Sequence, residues 1–97
     1  MTGWKAVERR VAKELGGERV GILGHEDVRH DRLSLEVKTR KALPKFLTAS
    51  YSQAAKNARP GKVPVLILKQ KHSLYSDSLV VLRLADFLKL FISLEAR

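Results

Sequence analysis

His25-Glu26-Asp27-Val28-Arg29-His30-Asp31-Arg32-Leu33-Ser34-Leu35-Glu36-Val37-Lys38-Thr39-Arg40-Lys41 is the stretch whose reading decides the fold. Leu33, Leu35 and Val37 alternate with Ser34, Glu36 and Lys38, the two-residue period of a strand with one apolar and one polar face. Glu36 and Lys38 share the polar face, a carboxylate and an ammonium on alternate residues. Asp27-Val28-Arg29 has the same alternation, and His30-Asp31-Arg32 is short and polar enough to turn the chain between them. If the two strands pair antiparallel, Asp27 comes round beside Glu36 with Lys38 next to it. Two carboxylates so placed make a seat for Mg²⁺, or Mn²⁺ in its stead, since hard cations take oxygen ligands. A half-exposed strand carrying an ordinary ion pair would show the same local pattern.

Upstream, the sequence predicts a helix from about Gly3 to Leu15, capped by Thr2 and ended by Gly16-Gly17. At about 100° per residue, Trp4, Val7, Val11, Ala12 and Leu15 fall in one apolar arc, and Glu8 falls inside it, about 40° from Trp4. A buried carboxylate is costly unless it is paired or ligates a metal. Glu8 is therefore a third acidic candidate, the alternative being an arc-edge residue that reaches solvent. Glu18 to Leu23 reads as the first strand.

Downstream, Pro44 suits the first turn of a helix from about Pro44 to Ala58, closed by Arg59-Pro60-Gly61. Its expected inner face is Phe46, Leu47, Ser50, Ala54 and Ala58, with Gln53 at the edge. Val63 to Leu68 is a nearly unbroken apolar run, as a strand buried on both faces would be, and Leu79 to Leu82 is another. The basic loop between them contains Lys69, Lys71 and Tyr75, suitable for phosphate contact and base stacking. A last helix opens near Ala85-Asp86. Its Phe87, Leu88, Leu90, Phe91, Ile92 and Leu94 span about 200°, wider than one packed face needs, which points to a homodimer through this C-terminal helix. The expected order is helix, three strands, helix, two strands, helix: an α/β sandwich with a mixed central sheet.

The 97 residues carry 19 basic and 10 acidic side chains, a net charge of +9, which implies a polyanionic partner, most often nucleic acid. A chain of this length makes one small domain, expected at 1–97, that a partner subunit would help to stabilise. The absence of cysteine rules out disulfides, thiolate catalysis and Cys-ligated zinc, and suits a reducing compartment. No stretch has the length of a membrane span or the form of a signal peptide, so the expected location is the cytoplasm, without a membrane partner.

Glu8 on a helix, then Asp27, then Glu36-Val37-Lys38 on a strand, then a helix with Gln53, resembles the PD-(D/E)xK nuclease superfamily. Within it the chain is most similar to small phage and archaeal-type Holliday junction resolvases. Asp27-Val28-Arg29-His30, Leu35-Glu36-Val37-Lys38-Thr39-Arg40-Lys41, Leu43-Pro44-Lys45 and Val80-Val81-Leu82-Arg83-Leu84-Ala85-Asp86-Phe87 carry the resemblance, which covers nearly the whole chain. Glu26 stands where the superfamily's name has proline, and Asp27 precedes Glu36 closely, so Asp31 is a lesser candidate ligand. The resemblance implies a restriction-endonuclease-like α/β/α sandwich with a mixed central β-sheet of about five strands. It implies a metal held by Asp27, Glu36 and the Val37 carbonyl, with Glu8 completing the shell. It also implies Lys38 acting on the attacking water, Gln53 steadying it, and Arg29, Arg40, Lys41 and Lys45 tracking the backbone of branched DNA, a four-way junction. The other readings are a same-fold nuclease acting on flaps or single strands, and a non-catalytic basic nucleic-acid binder.

Overall fold

The computed structural model describes residues 4–19 and 28–95, and the chain divides into two compact units, Met1–Lys41 and Ala42–Arg97.

In the first unit, α1 (Trp4–Leu15) packs against β1 (Glu18–Arg19) and β2 (Val28–Arg29), and β3 (Ser34–Leu35) completes a three-stranded sheet of order β1-β2-β3. Both pairings are antiparallel, as the short links between successive strands require. The helix stops at Gly16, whose φ of 73° is left-handed and open to glycine without a Cβ penalty. Gly17 N–H donates to the Ala12 carbonyl at 2.8 Å and Gly16 N–H to that of Lys13 at 3.3 Å, the two bonds of a Schellman ending. Glu8, Ala12 and Leu15 are buried, at spacings of four and three residues, so they form one stripe along the packed face. Along β3 and beyond it, Leu33, Leu35 and Val37 are half-buried while Ser34, Glu36 and Lys38 are exposed.

The second unit runs α2 (Lys45–Asn57), β4 (Leu66–Leu68), a 3₁₀ turn (Tyr75–Asp77), β5 (Leu79–Val81) and α3 (Leu84–Glu95). Pro44 is extended at ψ 137° and caps α2 rather than lying in its first turn. At the exit, Arg59-Pro60-Gly61-Lys62 closes with Lys62 N–H donating to the Arg59 carbonyl at 3.0 Å and Gly61 at φ 81°. Proline second and left-handed glycine third are what a type II turn demands. β4 and β5 pair antiparallel, with Leu66, Ile67 and Leu68 opposite Val81, Val80 and Leu79. The Tyr51 hydroxyl donates to the Pro64 carbonyl at 3.4 Å, tying α2 to the chain entering β4. α3 turns Phe87 and Phe91 into a stacked pair with centroids 5.6 Å apart, while Leu90, Ile92 and Leu94 stay exposed.

Three expectations are corrected. The α/β/α sandwich with a mixed central sheet of about five strands is not formed: among the described residues the strands belong to two separate sheets, of three and two strands, and every pairing is antiparallel. The apolar run 63–68 contributes three paired residues, with Ile67 56% exposed, so β4 is not covered on both faces. Pro64 has no N–H to give a ladder, which keeps the first half of the run out of the pairing. The inner face of α2 also differs, for Phe46 is 67% exposed and Tyr51 half-buried in its place. The stripe Leu47, Ser50, Tyr51, Ala54 and Ala58 keeps the three- and four-residue spacing of one helix face, and Phe46 falls beside it.

Candidate active site

Glu36, Val37 and Lys38 follow β3 directly. The alternation established by Leu33 and Leu35 persists there, which sends Glu36 and Lys38 to the solvent side and turns the Val37 side chain inward. Glu36 Oε1 lies 3.2 Å from Lys38 Nζ, with the side chains 54% and 77% exposed. An exposed ion pair of this kind contributes about 0–1 kcal/mol to stability. Its two groups are thus available to other partners at little energetic cost: the carboxylate to a cation, the ammonium to a phosphate oxygen. Arg40 and Lys41 continue the chain on the exposed side.

The β2–β3 register sets Val28 opposite Leu35 and Arg29 opposite Ser34. Arg29 is placed in β2 by its backbone, and Asp27 lies outside the described residues. Asp31 is exposed in the turn between the strands, where Arg32 N–H donates to His30 Nδ1 at 3.1 Å.

Glu8 sits differently. It is 5% exposed, in the stripe of α1 that packs on the sheet, and it has an interaction partner within the chain. Removing a buried carboxylate altogether leaves its partner without a hydrogen-bonding group, which costs roughly 2–4 kcal/mol. Glu8→Ala is therefore expected to lower the melting temperature by about 10 °C or more. Glu8→Gln, which keeps shape and hydrogen-bonding capacity, should recover most of it. A Glu8→Ala melting curve within 2–3 °C of the unaltered chain, taken as about half a kcal/mol in a domain of this size, would refute a structural role for the carboxylate.

In the second unit, Gln53 is exposed on α2, Lys45 is exposed at its start, and Lys69 and Lys71 are exposed after β4. Tyr75 is 84% exposed in the same loop, its ring open to a stacked base. The unit has an apolar cleft lined by Leu43, Leu47, Tyr51, Val81, Leu82 and Arg83 that contains none of the sequence-predicted site residues. Hydropathy gives no signal for such a cleft, because its walls come from separate elements.

Mg²⁺ prefers one or two carboxylates and keeps several of its waters. The half-exposed Glu36 carboxylate has the oxygen chemistry and the open surroundings for an ion of that kind. No group of three acidic or histidine side chains comes together among the described residues, and Asp27, the second carboxylate of the expected site, lies outside them. Among the described residues no helix is long and apolar enough to cross a membrane.

Compared with protein families, curated proteins and solved structures, the chain matches none of them.

Proposed function

We propose that the chain is a Mg²⁺-dependent DNA endonuclease that cuts branched DNA, a four-way junction foremost, in the cytoplasm. The observation that carries the reading is the antiparallel β2–β3 register beside the exposed Glu36–Lys38 pair. The reading requires that register to continue by one pair, which sets Asp27 against Glu36. Arg40 and Lys41 follow immediately, so cations that would hold a phosphate backbone adjoin the carboxylate that would hold the metal. A binder without catalysis gains nothing from carboxylates placed where they repel phosphate.

Asp27 and Glu36 would hold the ion, with the Val37 carbonyl as a further oxygen ligand. When bound, the ion acidifies a water and offsets charge developing on the scissile phosphate. Lys38 orients the attacking water and donates to a non-bridging phosphate oxygen as the P–O3′ bond breaks. Arg29, Arg40, Lys41, Lys45, Lys69 and Lys71 position the backbone without reading bases.

Resolving a junction into two ligatable duplexes takes two cuts at symmetric positions, which a pair of subunits related by a two-fold axis supplies. The test is incubation of labelled four-way junction and matched linear duplex with Mg²⁺ and with EDTA. Paired symmetric nicks in the junction, absent with EDTA, are expected. Unpaired nicks or equal cleavage of duplex would remove the resolvase and leave a nuclease of flap or single-strand preference. Binding without any cleavage in Mg²⁺ or Mn²⁺ would leave a basic nucleic-acid binder.

A further inference from the structure

We propose that β5 pairs edge to edge with β5 of a second copy of the chain, antiparallel, about a two-fold axis at Val80. The inference does not rest on the proposed activity. It starts from an incomplete sheet: among the described residues β5 has one hydrogen-bonded neighbour, β4, and its other edge has no strand. A two-stranded ribbon is marginal by itself, and a third strand or a packed face is needed to hold it. This one has a bare face as well. Ile67 and Val80 are cross-strand partners on the same face, and they are 56% and 60% exposed.

The two strands differ in how they are defended against pairing. β4 is preceded by Lys62 and Pro64 and followed by Lys69 and Lys71, charges and a missing N–H of the kind that blunt an edge. Over the same span β5 has no proline, and its two flanking charges, Asp77 and Arg83, are opposite in sign, so pairing with a second copy brings unlike charges together. An undefended apolar edge is a template for another strand, and in a symmetric pair that strand is its own copy.

Charge selects the register. Antiparallel pairing about Val80 sets Leu79 opposite the partner's Val81, and beyond the strand it carries Asp77, at the end of the 3₁₀ turn, toward the partner's Arg83, just before α3. The match occurs twice, once on each side of the axis. Asp77 is exposed, and Arg83 is 67% exposed with Nε 3.6 Å from Asp86 Oδ2, too long to occupy its donors fully. The neighbouring two-fold registers, about Leu79 or about Val81, would set Asp77 against the partner's Val81 or the partner's Ala85, with no charge to meet. Pairing about Val80 yields a four-stranded sheet in which the bare face becomes a continuous row of Ile67, Val80 and the partner's Val80 and Ile67.

The chain has no cysteine, so a single introduced thiol reports on the axis without interference. Directly opposed residues of antiparallel strands have Cα atoms about 4.5–5.5 Å apart, within disulfide range. The full-length chain carrying V80C should convert mostly to a disulfide-linked dimer under mild oxidation, at least ~10-fold faster than I67C, which lies one strand away on each side of the axis. Faster cross-linking at L90C than at V80C would place the contact on α3 and overturn the proposal, as would equal rates at the three positions. A second arm needs no thiol. The unaltered chain should be dimeric by light scattering at micromolar concentration, D77R should be monomeric, and mixing D77R with R83D should restore a dimer, since each then meets an opposite charge. A monomeric unaltered chain, or a D77R variant that remains fully dimeric, would refute the pairing.

Discussion

Glu36→Gln is expected to lower Mg²⁺-dependent junction cleavage by at least about a thousandfold, roughly 4 kcal/mol of transition-state stabilisation, with junction binding unchanged or tighter. The direction of the binding change follows from charge, because the substitution removes an anion from a surface that meets phosphate. Lys38→Ala should give a loss of ~10²–10³, the range for removing one preorganised donor to developing charge. Asp27→Asn should behave like Glu36→Gln. Neither Glu36→Gln nor Lys38→Ala should shift the melting temperature by more than a few degrees. The 3.2 Å pair they break is more than half exposed on both sides, and pairs of that kind contribute about 1 kcal/mol at most. Single-turnover cleavage of a labelled junction, set beside melting curves, separates chemistry from folding. Any of the three variants cutting within tenfold of the unaltered chain would sink the site.

Raising salt from 50 to 200 mM should weaken junction binding about a thousandfold, if the six cations Arg29, Arg40, Lys41, Lys45, Lys69 and Lys71 each neutralise one phosphate. A slope of log affinity on log salt near −5 corresponds to that number of contacts. Alanine at any one of them should reduce the slope by about one and weaken binding similarly for all sequences, since phosphate contacts carry no base information. Lys69→Ala and Lys71→Ala matter most for deciding the extent of the interface, because they test whether the loop after β4 takes part. Fluorescence anisotropy across a salt series measures it. A slope shallower than about −2 would mean that the net charge of +9 serves something other than a nucleic-acid backbone.

Local chemistry was legible in the sequence wherever a short-range rule was strict enough to act alone. Gly16 ends α1 because only glycine takes φ 73° without strain there, and Pro60-Gly61 turns the chain because the two residues supply the two backbone conformations that turn needs. Leu33 to Lys38 alternates in exposure as its hydropathy alternates, and Glu8 lies in the buried stripe because position on a helix follows from residue spacing. The antiparallel pairing of β2 with β3 followed from a link too short to permit any other arrangement. What each apolar surface meets was decided by tertiary structure. Hydropathy records that Ile67 and Val80 tolerate burial, but it cannot specify a covering layer, and both stay exposed on a two-stranded ribbon. Likewise, Phe46 is as apolar as Leu47, and only the packing of α2 turned one outward and the other in. Among the described residues, strands in the expected order form two sheets rather than one, because strand pairing between distant segments depends on competition among edges, which no local pattern encodes.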